Sequence, residues 1–381
     1  MGDSILNKKT SVGLYRQLAN FLKEYFVESN LVIGSRLPTE FELSSKFGVS
    51  RGTVRHALSL LERDGLIERA PGLGTFLRGE IAAPQVNSPR RIGVIVPIIQ
   101  DQLSLNILIG IESVAKYRDY QVAFSFSNES LDLEKESIKR MRKDQVTGLI
   151  IFPVSNQDYN ETIAELQKEK FPFVLIDRYL AGLDCDYVIS DNFNGAYRAV
   201  EHLIILGHKE IAFLYHPGAD LRTTSVRDRY LGYRRALEDY QIEFKDEWMI
   251  SIDEGPTEPM NDIANKDYIK YLKMPNRPSA VFTINDGTAF SLISIAAQCG
   301  VKIPDDLALV SFDNLRMSMQ IQIPLTTVNQ ERTEIGVRAA HLLLSRIDGR
   351  QGKPEHIVVP TNLVIRESCG ARQRLLRNQA T

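Results

Sequence analysis

The order of hydrophobic and polar positions divides the chain into two textures. Up to about residue 78 the spacing is helical and the helices are short. Leu14, Leu18, Phe21, Leu22, Tyr25 and Phe26 predict a first helix over residues 14–27. Phe41, Leu43, Ser44 and Phe47 predict a second, with Thr39 at its N-cap and Gly48 at its end. Ser50 caps a third, whose Val54, Ala57, Leu58 and Leu61 make one apolar stripe while Arg51 and Arg55, four apart, share another face. Gly65 supplies the C-cap. Residues 66–69 and 75–77 then read as two strands joined by the turn Pro71-Gly72-Leu73-Gly74, a hairpin placed as a wing beside the helices.

From residue 91 apolar strands alternate with amphipathic helices. Strands are predicted at residues 92–96, 121–124, 148–152 and 173–176, with helices at 107–117, 133–143 and 160–169 between them. The pattern then begins again, with a helix through Ala196, Ala199, Val200, Leu203 and Ile204 and strands at 211–214, 280–283 and 307–310. Strands that are apolar on both faces imply parallel sheets covered on each side by helices, and two such runs imply two similar lobes. In open sheets of this kind ligands bind beyond the carboxyl ends of the strands, which puts a small molecule between the lobes. Residues 79–90, with Pro84, Asn87, Ser88 and Pro89, read as a linker. The expected fold class is α/β: an N-terminal winged helix-turn-helix (α+β) followed by a two-lobed domain with parallel sheets.

Charge sharpens the picture only at the front end. Residues 1–80 hold eleven Lys and Arg against nine Asp and Glu, and the remainder 35 against 39. Binding of an anionic partner must therefore come from where cations are placed more than from bulk charge. Two cations on one face of a short helix, behind a turn and a packing helix, are what a reader of the DNA major groove requires. Arginine forks reach guanine edges or phosphates while the preceding helix crosses the backbone. Glycines in the hairpin let the wing approach phosphate or the minor groove. Arg372, Arg374 and Arg377 form a second basic cluster, read as a solvated tail over 372–381.

The remaining chemistry is mostly exclusion. Cys185, Cys299 and Cys369 are widely spaced without a Cys-x-x-Cys, so no disulfide framework or zinc site follows, and reduced thiols in the cytoplasm are the simple reading. No export signal and no run of the ~20 apolar residues that a bilayer span needs is visible. The six histidines show no paired ligand spacing; His202 and His208 read as packing or capping residues. There is no Gly-x-Ser-x-Gly, Walker loop or dinucleotide fingerprint. The expectation is a non-enzyme with no metal and no cofactor.

Leu37-Pro38-Thr39-Glu40, Val49-Ser50-Arg51-Gly52-Thr53-Val54-Arg55 and Gly72-Leu73-Gly74-Thr75-Phe76 resemble the winged helix-turn-helix of the GntR family over about residues 11–77. The resemblance implies DNA contacts at Arg36, Ser50, Arg51, Thr53, Arg55 and Gly72. Residues 91–368 resemble the effector domain of the LacI/GalR repressors, a relative of periplasmic sugar-binding proteins. This rests on Arg91-Ile92-Gly93-Val94-Ile95-Val96-Pro97, Asp191-Asn192, Arg229-Tyr230-Leu231-Gly232, Asn285-Asp286-Gly287-Thr288-Ala289 and Ser311-Phe312-Asp313-Asn314. It implies a sugar effector whose hydroxyls are bridged by Arg229 and Asp286 from the second lobe, with Asp177 and Asp101 as further candidates. The combination is similar to the arabinose-responsive repressors of Gram-positive bacteria, which implies L-arabinose as the effector.

The function expected is a cytoplasmic, nucleoid-associated transcriptional repressor of carbohydrate-utilisation genes. It would bind palindromic operator DNA as a homodimer, be released by the sugar, and have no membrane partner. The expected domains are 1–78, the linker 79–90 and an effector domain at 91–371, with lobe one at about 91–190 and 314–345 and lobe two at about 191–313 and 346–371. A repressor answering to another sugar or small metabolite, a non-regulatory sugar receptor and an enzyme stand as alternatives.

Overall fold

A computed structural model describes residues 14–29, 31–71, 73–78, 90–97, 102–154, 160–215, 221–252 and 262–372. The chain forms two units, Met1–Pro89 and Arg90–Thr381. Among the described residues no helix is long and apolar enough to cross a membrane.

The first unit contains α1 (Leu14–Glu28), α2 (Glu40–Phe47), α3 (Arg51–Arg63) and the antiparallel hairpin β1 (Ile67–Ala70) and β2 (Gly74–Leu77). Thr39 forms a capping box: its hydroxyl accepts from the Glu42 N–H at 3.3 Å, and the Glu42 carboxylate accepts from the Thr39 N–H at 2.7 Å. Gly48 ends α2 at φ 63°, a left-handed conformation that side chains resist. Ser50 caps α3 through the Thr53 N–H at 3.2 Å. The C-cap of α3 is Asp64, and Gly65, expected there, is the left-handed residue one place beyond. Leu18, Leu22 and Phe26 bury against Leu43, Val54, Leu58 and Leu61, and the core extends to Ile67 and Leu77 of the hairpin.

The second unit opens with β3 (Arg90–Val96), α4 (Gln102–Tyr117), β4 (Tyr120–Phe126), α5 (Leu131–Lys143), β5 (Leu149–Ile151), α6 (Glu161–Lys168), β6 (Phe173–Ile176) and β7 (Tyr187–Ser190). It continues with α7 (Asn192–Ile205), β8 (Ile211–Tyr215), α8 (Thr224–Asp239), β9 (Met249–Ser251), α9 (Asp262–Leu272), β10 (Ala280–Thr283), α10 (Asp286–Gln298) and β11 (Ala308–Asp313). It ends with β12 (Thr326–Asn329), α11 (Arg332–Ile347), β13 (His356–Val359) and β14 (Asn362–Val364). One sheet runs β13-β7-β6-β5-β3-β4, all parallel. The other runs β14-β12-β11-β10-β8-β9, parallel except for β14. The α/β class and the two parallel lobes are as expected.

Alternation along each strand fills both faces. Ile92, Val94 and Val96 meet α4 and α11, whereas Ile95, Leu149 and Ile151 meet α5 and α6. In the other lobe Phe213, Phe282 and Phe312 face α7 and α8, and Leu214, Val281 and Leu309 face α9 and α10.

The division between lobes departs from the expected one. Within the described residues the chain crosses between lobes after β7, between β12 and α11, and between β13 and β14. Residues 314–329, expected in lobe one, therefore belong to lobe two, because Thr326–Asn329 hydrogen-bonds beside β11. Residues 346–359, expected in lobe two, belong to lobe one, because His356–Val359 pairs with β7 and Arg346 closes α11.

Each lobe brings two helices into near-backbone contact at glycine. A Cβ on Gly110 would run into the Thr333 carbonyl, one on Gly336 into that of Ile107, and one on Gly232 into that of Phe193. Gly336→Val should therefore separate α4 from α11 and destabilise the protein by about 1–3 kcal/mol or more. Chemical denaturation checks this, and an unchanged midpoint would contradict the contact.

Candidate functional site

In the first unit, side chains of α2 hold Arg51 and Arg55 of α3 in place. The Arg55 guanidinium donates to Glu40 at 3.1 Å, and this acidic partner raises its pKa further. The Arg51 guanidinium stands 4.9 Å over the ring of Phe41, itself 63% exposed. The hydroxyls of Ser50 and Thr53 bond each other at 2.9 Å. Arg36 lies against Gly74 of the wing, where a Cβ would collide with its guanidinium. Arg36, Ser50, Arg51 and Arg55 are exposed together, with Thr53 half-buried behind them. Gly72 lies outside the described residues.

In the second unit the carboxyl ends of β6, β7, β10 and β11 converge on Arg229. This guanidinium is 7% exposed. It donates to Asn192 Oδ1 at 2.9 Å and to the Ile284 carbonyl at 2.7 Å, approaches Asp313 to 3.6 Å, and lies 3.9 Å over the ring of Phe312. Burial lowers its pKa, and the charges of Asp313 and Asp177 oppose the shift. Burial likewise pushes the Asp313 carboxyl up to about 6, against the pull of Arg229 and Arg332.

Hydrogen bonds lead from this pair to the crossovers. Gln330 donates to Asp313 at 2.6 Å, Ser190 donates to Gln330 at 2.7 Å, and Asn192 donates to the Ser190 carbonyl at 3.1 Å. Arg332, at the start of α11, donates to the Asp313 carbonyl. A second bridge between lobes joins Tyr179, beyond β6, to the start of α8. The Tyr179 N–H donates to the Thr224 hydroxyl at 3.0 Å, and Arg227 donates to the Tyr179 hydroxyl at 2.6 Å.

The expected effector residues fare differently. Arg229 sits at the centre. Asp177 is 5% exposed, ion-paired to Arg178 at 3.5 Å, and held at φ 64°. Asp286, expected to bridge sugar hydroxyls, is instead a clasp within lobe two. It opens α10, is fully buried, and accepts from the Leu315 N–H at 2.8 Å, the Thr327 hydroxyl at 2.6 Å and the Ser318 hydroxyl. Burial raises its pKa, and these donors hold it back. Asp101 lies outside the described residues.

The residues that sequence reasoning left without a role are Asp313, Asn192, Gln330 and Arg332. Asp313 carries a local signal only in hindsight, as the polar residue closing an apolar strand. Its φ of 121° is rare outside glycine, and such strain persists where surrounding contacts impose it. Among the described residues no group of three or more His, Cys, Asp and Glu could hold a metal ion.

Comparison with known proteins agrees with both units. Residues 14–77 match the family model of bacterial regulatory proteins, gntR family, and residues 200–369 match a periplasmic binding protein-like domain. The arabinose metabolism transcriptional repressor of Geobacillus stearothermophilus is 29% identical over 369 residues, covering 95% of this chain and 99% of the relative. The HTH-type transcriptional repressor PurR of Mannheimia succiniciproducens is 28% identical over 335 residues, 86% of this chain and 97% of the relative. The structure of a LacI family transcriptional regulator from Enterococcus faecium with bound ribose superposes with TM-score 0.62 at 28% identity, covering 73% of this chain and 98% of that one.

The chain thus joins a gntR-family helix-turn-helix domain to a LacI-type periplasmic binding protein-like domain. The relatives it matches are transcriptional repressors, regulators and not enzymes. This chain is a transcriptional repressor of the GntR/LacI type.

The position of Asp313 predicts a pH signature. Its folded-state pKa lies above the unfolded value of about 3.9, so its contribution favours the folded state below pH 4 and is lost as pH rises through about 6. From pH 4 to 7 the wild type should lose stability relative to Asp313→Asn. Urea titrations of both proteins across that range check it, and parallel profiles would contradict it.

Proposed function

We propose that the first unit binds operator DNA as part of a homodimer, and that a sugar held between the lobes of the second unit lowers that affinity. The observation that carries this reading is the juxtaposition of Arg229 with Asp177 and Asp313, two of them held at positive φ, where the lobes meet. Guanidiniums only donate and carboxylates only accept, whereas a sugar hydroxyl does both, so one pentose satisfies both kinds of group. L-arabinose is the first effector to try. The Geobacillus relative is named for arabinose metabolism, and the Enterococcus structure holds ribose, another aldopentose.

The reading residues would be Arg36, Arg51, Thr53 and Arg55 on DNA, with Ser50 and Gly72 at the turn and wing. A homodimer has a surface suited to it in lobe one. Leu105, Ile109 and Tyr117 on α4 are 53–87% exposed, and Phe124 and Phe126 lie on the edge strand β4. A dimer would present two reading helices to the half-sites of a near-palindromic operator. Operator and sugar would then be coupled ligands, each weakening the other by the same factor. A cytoplasmic location follows from that role.

The test is fluorescence anisotropy on an operator selected from random duplexes, titrated with L-arabinose, D-ribose, D-xylose and D-galactose. At least one sugar should release the DNA. An operator held equally tightly throughout would refute the reading. Arg51→Ala should weaken operator binding by about 1–3 kcal/mol and relax preference at one base position, and a retained preference would remove Arg51 from base reading. Arg229→Ala should keep operator binding but lose release by sugar. A normal response from that variant would move the effector site elsewhere.

A further inference from the structure

Arg332 stands at the start of α11, buried and close to the Arg229–Asp313 pair. It is 4% exposed, and one guanidinium nitrogen, Nη2, donates to the Asp313 carbonyl. Its Nε is buried and has no hydrogen-bond partner among the described residues. A donor left unmet inside a protein is costly, and a ligand oxygen placed on it would meet that need. Beside it is a cavity of about 390 Å³ lined by Asn106, Asn314, Arg316, Gln330 and Arg332, with walls from both lobes. Side-chain amides of Asn106, Asn314, Asn329 and Gln330 stand among those walls, and amides pair with hydroxyl groups as donors and acceptors alike.

We propose that Arg332 is a specificity-determining effector residue, whose Nε donates to a ring or hydroxyl oxygen of the carbohydrate. The proposal rests on the sugar-gated reading above and adds a residue to it. Arg332 begins α11 in lobe one while gripping the end of β11 in lobe two. A ligand oxygen on its Nε therefore sits on a side chain that already spans the two lobes. Arg229 draws its hydrogen bonds from α7 and from the end of β10, whereas Arg332 is itself rooted in lobe one and bonded to lobe two.

The test is calorimetric titration of the full chain with the same four sugars, for wild type, Arg332→Gln and Arg332→Lys. The glutamine variant should bind the preferred sugar at least tenfold more weakly in its folded fraction, whatever the lost bond to the Asp313 carbonyl does to its melting temperature. A purely structural role would lower the melting temperature and leave the affinity of the folded fraction intact. Equal affinity in Arg332→Gln would overturn the proposal while the sugar-gated reading stands. Should that variant fail to fold, Arg332→Lys, which keeps the charge but not the Nε geometry, decides by the same comparison. A wild type that binds none of the four sugars would overturn both.

Discussion

A guanidinium keeps its charge wherever it is placed, so burying Arg229 obliges the surrounding chain to supply acceptors and a counter-charge. The obligation is met from the ends of β10 and β11, the first turn of α7 and the face of Phe312. Each of those partners is fixed in turn. Asn192 and Gln330 both lead to Ser190, the last residue before the chain first leaves lobe one. One buried cation thus ties the sheet of lobe two to the crossover segments. A buried pair of this kind is weak grounds for stability, because desolvation offsets much of the attraction. Its merit is geometric: few arrangements satisfy every member at once.

How much of this was legible beforehand depends on whether a feature is local. Caps and helical stripes are: Thr39, Gly48, Ser50 and the Val54–Ala57–Leu58–Leu61 stripe stand where the pattern puts them, because each is decided within one or two turns. The long apolar strands were legible for the same reason. β12, β13 and β14 were not, since Thr326–Asn329, His356–Val359 and Asn362–Val364 are short, mixed in polarity and defined only by distant partners. That is why the lobe boundaries shifted. The site shows the same limit. Asp286 and Asp313 are both carboxylates at the carboxyl ends of neighbouring strands, and which one has spare acceptor capacity depends on Ser318 and Thr327, more than thirty residues further along the chain from Asp286.

The glycine contacts show how two lobes can be stiff bodies joined by a yielding seam. Gly110 against Gly336, and Gly232 against Phe193, let helices approach to backbone distance, where little sliding is possible. The crossovers carry fewer constraints: polar side chains and single hydrogen bonds such as Asp191 N–H to the Val359 carbonyl at 2.8 Å. Motion concentrates where packing is replaced by exchangeable polar contacts.

The pairing of Arg55 with Glu40 bears on how the reading head meets a polyelectrolyte. A cation already neutralised within the protein displaces fewer condensed ions from a duplex than a bare one, since the phosphate must first outcompete a carboxylate 3.1 Å away. Random sequence, whose base edges are not matched to the protein, gives little return for that exchange; a cognate site, with matched base edges, would give more. If Arg55 contacts DNA as proposed, an acidic residue on the preceding helix would act as a discriminator, lowering the background grip on bulk genome and flattening the ionic-strength dependence of what remains.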